Sequence, residues 1–225
     1  MKTTKAHPII LGITGHHNTG KTTVAQLLET HAHARVMAFA DGIYAEVAAA
    51  FGISIIDLAT RTTKPTPQRL LALHNCADKA FVQAALPHAD GDLQTPRSPR
   101  QILEWWGSEY RRTQDPDYWV KTTAARIERY QNANCKRPIV LADVYKHNEA
   151  QLVRSLGGHI WRLERPGHEE RTTHPTSTEH LQIQADLTLH NVGDIGHLQH
   201  LALTQWREIL DYRPYPLKGL VEFNS

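Results

Sequence analysis

Cysteine is scarce in this chain: Cys76 and Cys135 are the two it has in 225 residues. Their spacing fits neither a disulfide framework nor a zinc site, and a reducing cytoplasm suits the chain better than a secreted setting. Long apolar runs are missing as well, since no stretch approaches the roughly 18 residues of a membrane span. The opening "MKTTKAHPIILGITG" carries an apolar run of about seven residues, near the lower limit for a secretory leader, and it leads straight into a glycine loop. An excess of one charge is also absent, because 25 basic and 23 acidic residues leave +2. Such balance does not mark nucleic acid or an acidic membrane as the main partner. There is no internal repeat and no low-complexity block. No apolar seam forces a dimer, so the chain is open to being a monomer or a homodimer. Its length suffices for one ample core, or one core with small inserts.

What is present begins with "ITGHHNTGKTT", Ile13 to Thr23. Gly15, Gly20, Lys21 and Thr22 read G-x-x-x-x-G-K-T, a phosphate-binding loop. The apolar, β-branched run "PIILGIT" precedes it and suits a buried strand. Val24, Leu27 and Leu28 follow at helical spacing. Strand, glycine loop and helix is the context the motif requires. Amides of the turn and the helix N-terminus favour an anion. Gly15 and Gly20 let the backbone approach it, with Asn18, Thr19 and Thr23 in the same cradle. Lys21 can reach the β- and γ-phosphates of ATP, and the Thr22 hydroxyl can ligate Mg²⁺. His16 and His17 read as fillers of variable loop positions, since adjacent side chains rarely converge on one metal without further partners.

Further strands are expected at "RVMAFA", "RPIVLAD", "HIWRLE" and "ADLTLH", with helices at "DGIYAEVAAAF" and at "NEAQLVRSLGG", where Asn148 marks the start and Gly157 the stop. A last long helix carries Ile195, Leu198, Trp206 and Ile209 on one face. Strands alternating with helices imply an α/β fold: a mostly parallel sheet covered on both sides. Prolines 65, 67, 87, 96 and 99 crowd one region that reads as an insert of short helices and loops. The expected organisation is a single domain over 1–225. Its core takes 1–53, 120–163 and 184–211, its helical insert 54–119, and its lid 164–183. A patternless tail covers 212–225.

The loop alone does not choose among ATPase, GTPase and kinase. Val144, not Glu, follows the strand-end Asp143, and no N-K-x-D or T-K-x-D stretch is present, which disfavours a motor or a guanine-nucleotide switch. A kinase needs a second anion pocket and arginines to neutralise the transferring group. "SPRQILEWWGSEYRR" offers one, with Ser98 as N-cap, Pro99 at the first helical position, Gln101 completing a capping box, and Ile102, Leu103, Trp106 and Tyr110 along one helical face. Arg100 then opposes the helix dipole unless an anion binds there; otherwise it is a solvated surface residue. Asp143, at the carboxyl edge of the sheet, either holds a water of Mg²⁺ or caps a helix. Asp41 follows the second strand and either orients an acceptor group or caps its own helix. Arg165 and Arg171 are candidate transition-state clamps in the lid, or solvated loop residues, while Arg162 lies within a strand.

Together, "GHHNTGKTTVAQLL", "FADGIYAEVAAAFGI", "SPRQILEWWGSEYRRTQDPDYWVK", "IVLADVYKHNEAQLVRSLGGHIWRLERPG" and "ADLTLHNVGDIGHL" resemble the deoxynucleoside monophosphate kinases of tailed phages, members of the P-loop kinases. The loop is generic; the P-R-x-h-L-x-x-x-G-[ST]-E-x-x-R stretch followed by D-P-D-Y-W-V is far more specific. The resemblance covers most of the chain. It implies a five-stranded core with a helical acceptor-binding insert and a small lid, and transfer of the ATP γ-phosphate to a deoxynucleoside monophosphate. It also implies that Lys21 and Thr22 serve ATP and Mg²⁺, and that Arg100 and Glu109 border the acceptor pocket. Trp119 is either a base-stacking platform or core. A phage-encoded chain would work in the host cytoplasm. Two departures stand out. Tyr145 and Lys146 follow where relatives carry an Arg two residues after the strand-end Asp, and "THPTSTEH" offers His174, Ser177 and Glu179 at altered spacing near the lid. A kinase for another small acceptor, such as dephospho-coenzyme A, and a non-catalytic nucleotide sensor are the alternative readings.

Overall fold

A computed structural model of the chain describes residues 8–60, 62–133, 135–167 and 179–211. Five short apolar segments form one parallel sheet: β1 (Ile10–Thr14), β2 (Arg35–Met37), β3 (Ile139–Leu141), β4 (His159–Glu164) and β5 (Leu187–His190). Their order is β2-β3-β1-β4-β5, with every neighbouring pair parallel. β1 lies at the centre, Gly12 facing Leu141 on one side and Ile160 on the other. All five of its residues are buried, which is why it reads as an unbroken apolar run.

The helices are α1 (Lys21–His31), α2 (Ala40–Phe51), α3 (Ile55–Ala59), α4 (Lys79–Ala85), α5 (Pro99–Glu104), a π-helix (Trp105–Arg112), α6 (Tyr118–Asn132), α7 (His147–Ser155) and α8 (Ile195–Asp211). Val24 and Leu28 of α1 and Leu198 and Trp206 of α8 cover one face of the sheet through Ile13, Trp161 and Leu163. Ile127 of α6 and Val153 of α7 cover the other through Ile10, Ile139 and Ile160. The result is a three-layer α/β fold. A third apolar cluster belongs to the stretch between 54 and 119, where Leu58, Leu73, Phe81, Ile102 and Trp106 pack onto Val47 and Phe51 of α2. Burying each such side chain is worth about 1.5–3 kcal/mol.

Three local outcomes differ from the sequence expectations. The second strand stops at Met37, because Asp41 accepts the amide of Ala38 while Asp143 accepts those of Phe39 and Ala40, turning the chain into α2. Helix α7 starts at His147, and its first turn is capped by Glu149 reaching back to the Tyr145 and Lys146 amides. Asn148 instead donates to Pro116 O and Asp117, tying α7 to the start of α6. Finally, "WWGSEYRR" is a π-helix rather than a continuation of α5. Gly107 makes room there, since a Cβ would lie 2.9 Å from Ile43 of α2. The wider turn lets adjacent arginines diverge, Arg111 to Glu46 and Arg112 to Glu149, each at 2.8 Å or less.

Candidate active site

The loop between β1 and α1 is built by backbone conformations that few residues adopt. Gly15 has φ +131°, and a Cβ there would lie 2.2 Å from the Leu163 carbonyl oxygen. Gly20, at φ +107°, caps α1, and Asn18 takes φ +61° between them. Thr19 is buried, its hydroxyl donating to His16 O at 2.9 Å. Asn191, just past β5, donates to Thr19 O at 3.0 Å and braces the loop. Lys21 is buried and donates to Gly15 O at 2.8 Å and to His16 O. The cradle therefore holds its lysine folded over loop carbonyls, with the first amides of α1 behind it.

This loop forms one end of a cleft of about 1420 Å³, where Asn18, Gly20, Lys21, Thr22 and Thr23 line the wall. Arg165 lines it at the end of β4, beside Asp194 and the exposed Ile195 at the start of α8. Tyr44, Lys64, Arg100 and Glu104 line the same cleft. Lys64 Nζ reaches the Tyr44 hydroxyl at 2.5 Å and lies 5.1 Å from the centre of its ring. The capping box of Ser98 and Gln101 is present. Its consequence is that the first amides of α5 are already used: Gln101 N by Ser98, and Arg100 N by Lys64 O at 3.0 Å. What this part of the lining offers is therefore side chains, Lys64, Arg100 and Glu104, rather than helix amides. Lys64 was invisible as a partner in sequence because its segment meets that of Arg100 through this bond and the Gln68–Arg97 bridge, contacts between distant residues.

Other residues singled out in sequence lie elsewhere. Asp41 does not line this cleft; its carboxylate pairs with Arg126 at 2.6 Å and borders a second depression with Thr122 and Arg129. Trp119 is a core residue with no face open to a base. It is fully buried, donates to Gly107 O at 3.1 Å, and packs so tightly on Gly42 that a Cβ there would lie 2.9 Å from the ring. Glu109 stands 3.5 Å from His88, away from the cleft. Arg162 donates to Leu181 O and Ile183 O and is a structural brace. Arg171, His174 and Ser177 lie outside the described residues, as do most of the expected lid and the whole tail. Glu179 accepts from Lys146 Nζ at 2.9 Å and from His147 N at 2.8 Å.

Asp143 receives Phe39 N at 2.7 Å and Ala40 N at 3.0 Å, one on each oxygen. Burial, and next the charge of Glu149, push its carboxyl up to about 8 against the two amides that hold it down. Asp143 is not among the residues that line the cleft, and its two oxygens cap the start of α2. Thr22 presents an exposed hydroxyl to the cleft and fits the direct ligand. Among the described residues, no group of three or more His, Cys, Asp or Glu is placed to hold a metal by itself. A Mg²⁺ here would depend on the phosphates it accompanies.

A parallel sheet with a phosphate loop leaving its central strand and helices on both faces defines the class: this is a three-layer α/β fold of the phosphate-binding-loop type. No protein-family model matches the chain. Among curated proteins it is similar to one of Acanthamoeba polyphaga mimivirus named "Putative deoxynucleotide monophosphate kinase", 26% identical over 198 residues, which spans 81% of this chain and 88% of the relative. Among solved structures it is similar to TT1252 from Thermus thermophilus, with TM-score 0.47, 17% identity and coverage of 92% of this chain and 100% of that one. It is also similar to dephospho-CoA kinase from Campylobacter jejuni, with TM-score 0.46, 12% identity and coverage of 91% and 98%. Among the described residues no helix is long and apolar enough to cross a membrane.

Proposed function

We propose that this chain transfers the γ-phosphoryl group of ATP to a deoxynucleoside monophosphate, giving ADP and the diphosphate. The observation that carries the reading is that one cleft is lined both by the phosphate loop with Lys21 and by Lys64 and Arg100, which we read as stations for two anions. Two phosphorylated molecules facing each other across a single cleft is what a phosphotransferase between nucleotides needs. The name of the mimiviral relative supports the same acceptor class.

In this reading Gly15, Asn18, Thr19, Gly20 and Thr23 cradle the donor phosphates, and Lys21 follows the charge that develops between β- and γ-phosphates. Thr22, with Asp143 behind it, would hold a Mg²⁺ ion, which would supply charge neutralisation of the donor phosphates. Arg165 approaches the transferring group from β4. Arg100 and Lys64 hold the acceptor phosphate, whose oxygen attacks the γ-phosphorus as the bond to the bridging oxygen breaks. No protein group forms a covalent intermediate; catalysis comes from alignment and charge neutralisation.

The test is coupled ADP release with ATP and Mg²⁺, offering dTMP, dGMP, dCMP, dAMP, the ribonucleotides and dephospho-coenzyme A. Turnover with one or more deoxynucleotides is the expected result. Turnover restricted to dephospho-coenzyme A overturns the acceptor assignment. Silence on all acceptors with ATP binding intact points instead to a nucleotide sensor or to an acceptor outside this panel.

A further inference from the structure

The residue after Val144 has no place in the scheme above, yet it stands at the centre of the phosphate end of the cleft. The Tyr145 ring centre lies 5.1 Å from Lys21 Nζ, within the range of a cation–π contact. Two of the ammonium's hydrogen bonds go to Gly15 O and His16 O, and the ring covers a further side. The ring is itself fenced. His17 lies over it at 5.7 Å with planes tilted by 31°, and His180 meets it edge-on at 5.7 Å. His180 in turn meets His16 at 4.7 Å. The adjacent histidines of the loop thus help to wall in Tyr145.

The backbone beneath the ring is pinned from another part of the fold. Glu149 accepts the amides of Tyr145 and Lys146 at 2.8 and 3.0 Å on one oxygen. Its other oxygen takes Arg112 Nη2 of the π-helix at 2.7 Å, and the Glu149 side chain is 3% exposed. A buried carboxylate with both oxygens occupied is hard to move, because breaking one contact strands a charge.

We propose that Tyr145 is a positioning residue for Lys21: its ring seats the ammonium in the phosphate loop, and the Arg112–Glu149 pair anchors that ring to the helical insert. A lysine held in this way loses less freedom when ATP arrives, so the seat acts on the donor side of the reaction. The inference rests on the proposed role of the loop.

The experiment measures Mg²⁺–ATP binding by calorimetry without acceptor, then kcat, both KM values and Tm, for the parent protein and five variants. Tyr145→Leu is expected to weaken ATP binding and lower kcat by about three- to tenfold, with acceptor KM and Tm near parental. Tyr145→Phe keeps the ring and is expected to behave as the parent. Parental ATP binding and kcat in Tyr145→Leu, or a Tyr145→Phe defect equal to that of Tyr145→Leu, overturns the seat. Glu149→Gln should carry the same ATP-side defect; if it unfolds, Arg112→Lys reads the same link. Parental ATP-side behaviour in the folded anchor variant overturns the anchoring. Lys21→Ala separates the two levels. If it leaves ATP binding and turnover intact, the role of the loop fails; if it abolishes them while Tyr145→Leu leaves both at the parental value, the seat alone fails.

Discussion

Asp41 and Arg126 form an ion pair at 2.6 Å between the first turn of α2 and the middle of α6, outside the cleft that the phosphate loop opens into. The same carboxylate accepts Ala38 N, so it both starts α2 and ties it to α6. Asp41→Ala should therefore lower stability by about 1 kcal/mol and leave kcat near the parental value. Denaturant unfolding and steady-state kinetics check this; a large loss of kcat with stability intact would return Asp41 to the acceptor.

Lys21→Ala is expected to reduce kcat about 10²–10³-fold, the usual cost of removing one preorganised charge stabiliser. Its circular dichroism should stay parental, because the lysine bonds to loop carbonyls and not to the core.

Arg100→Ala and Lys64→Ala should each raise the acceptor KM about 10- to 100-fold, as loss of a charge-assisted hydrogen bond does. ATP KM should change little. Equal effects on both substrates would place these cations outside the acceptor station.

Trp119→Ala is expected to cost about 3–5 kcal/mol of stability, read as a fall in Tm. Any Trp119→Phe protein that folds should keep the parental acceptor KM, since the ring has no face on the cleft.

Asp186 provides a pH signature. Burial pushes its carboxyl up, but the hydrogen bond from Arg154, the Ile160 amide and the charge of Arg154 outweigh it and hold the group below its usual range. A depressed carboxyl contributes stability above its unfolded pKa and loses it as pH falls through the folded value. Asp186→Asn should be less stable than the parent at pH 7, and the gap should narrow as both are acidified below about pH 4. Thermal melts across that range decide it.

The middle of the sheet was readable from sequence for a physical reason: β1 and β3 are short apolar runs buried at every position, as strands covered on both faces must be. The phosphate loop was readable because its positive-φ positions demand glycine at 15 and 20. What escaped depended on contacts between distant residues. Lys64 joins Arg100 by one backbone bond across the insert. Glu149 looks like an ordinary helical glutamate until its amide partners and Arg112 are seen. The π-helix defeats a 3.6-residue reading, because Trp106 and Tyr110 are spaced as on an α-helix while the turn between them is wider. Trp119 was ambiguous for a different reason: a tryptophan's size suits a stacking platform and a core equally, and only its surroundings separate the two.

The strand order has a consequence for how the chain comes into being. β1 is made first, yet its two neighbours, β3 and β4, begin at Ile139 and His159. Until those segments leave the ribosome, the apolar edges of β1 have no partners, and the phosphate loop has no floor at Leu163. A nascent chain that stalls before β4 carries an unpaired hydrophobic strand, the feature that chaperones bind and aggregation exploits.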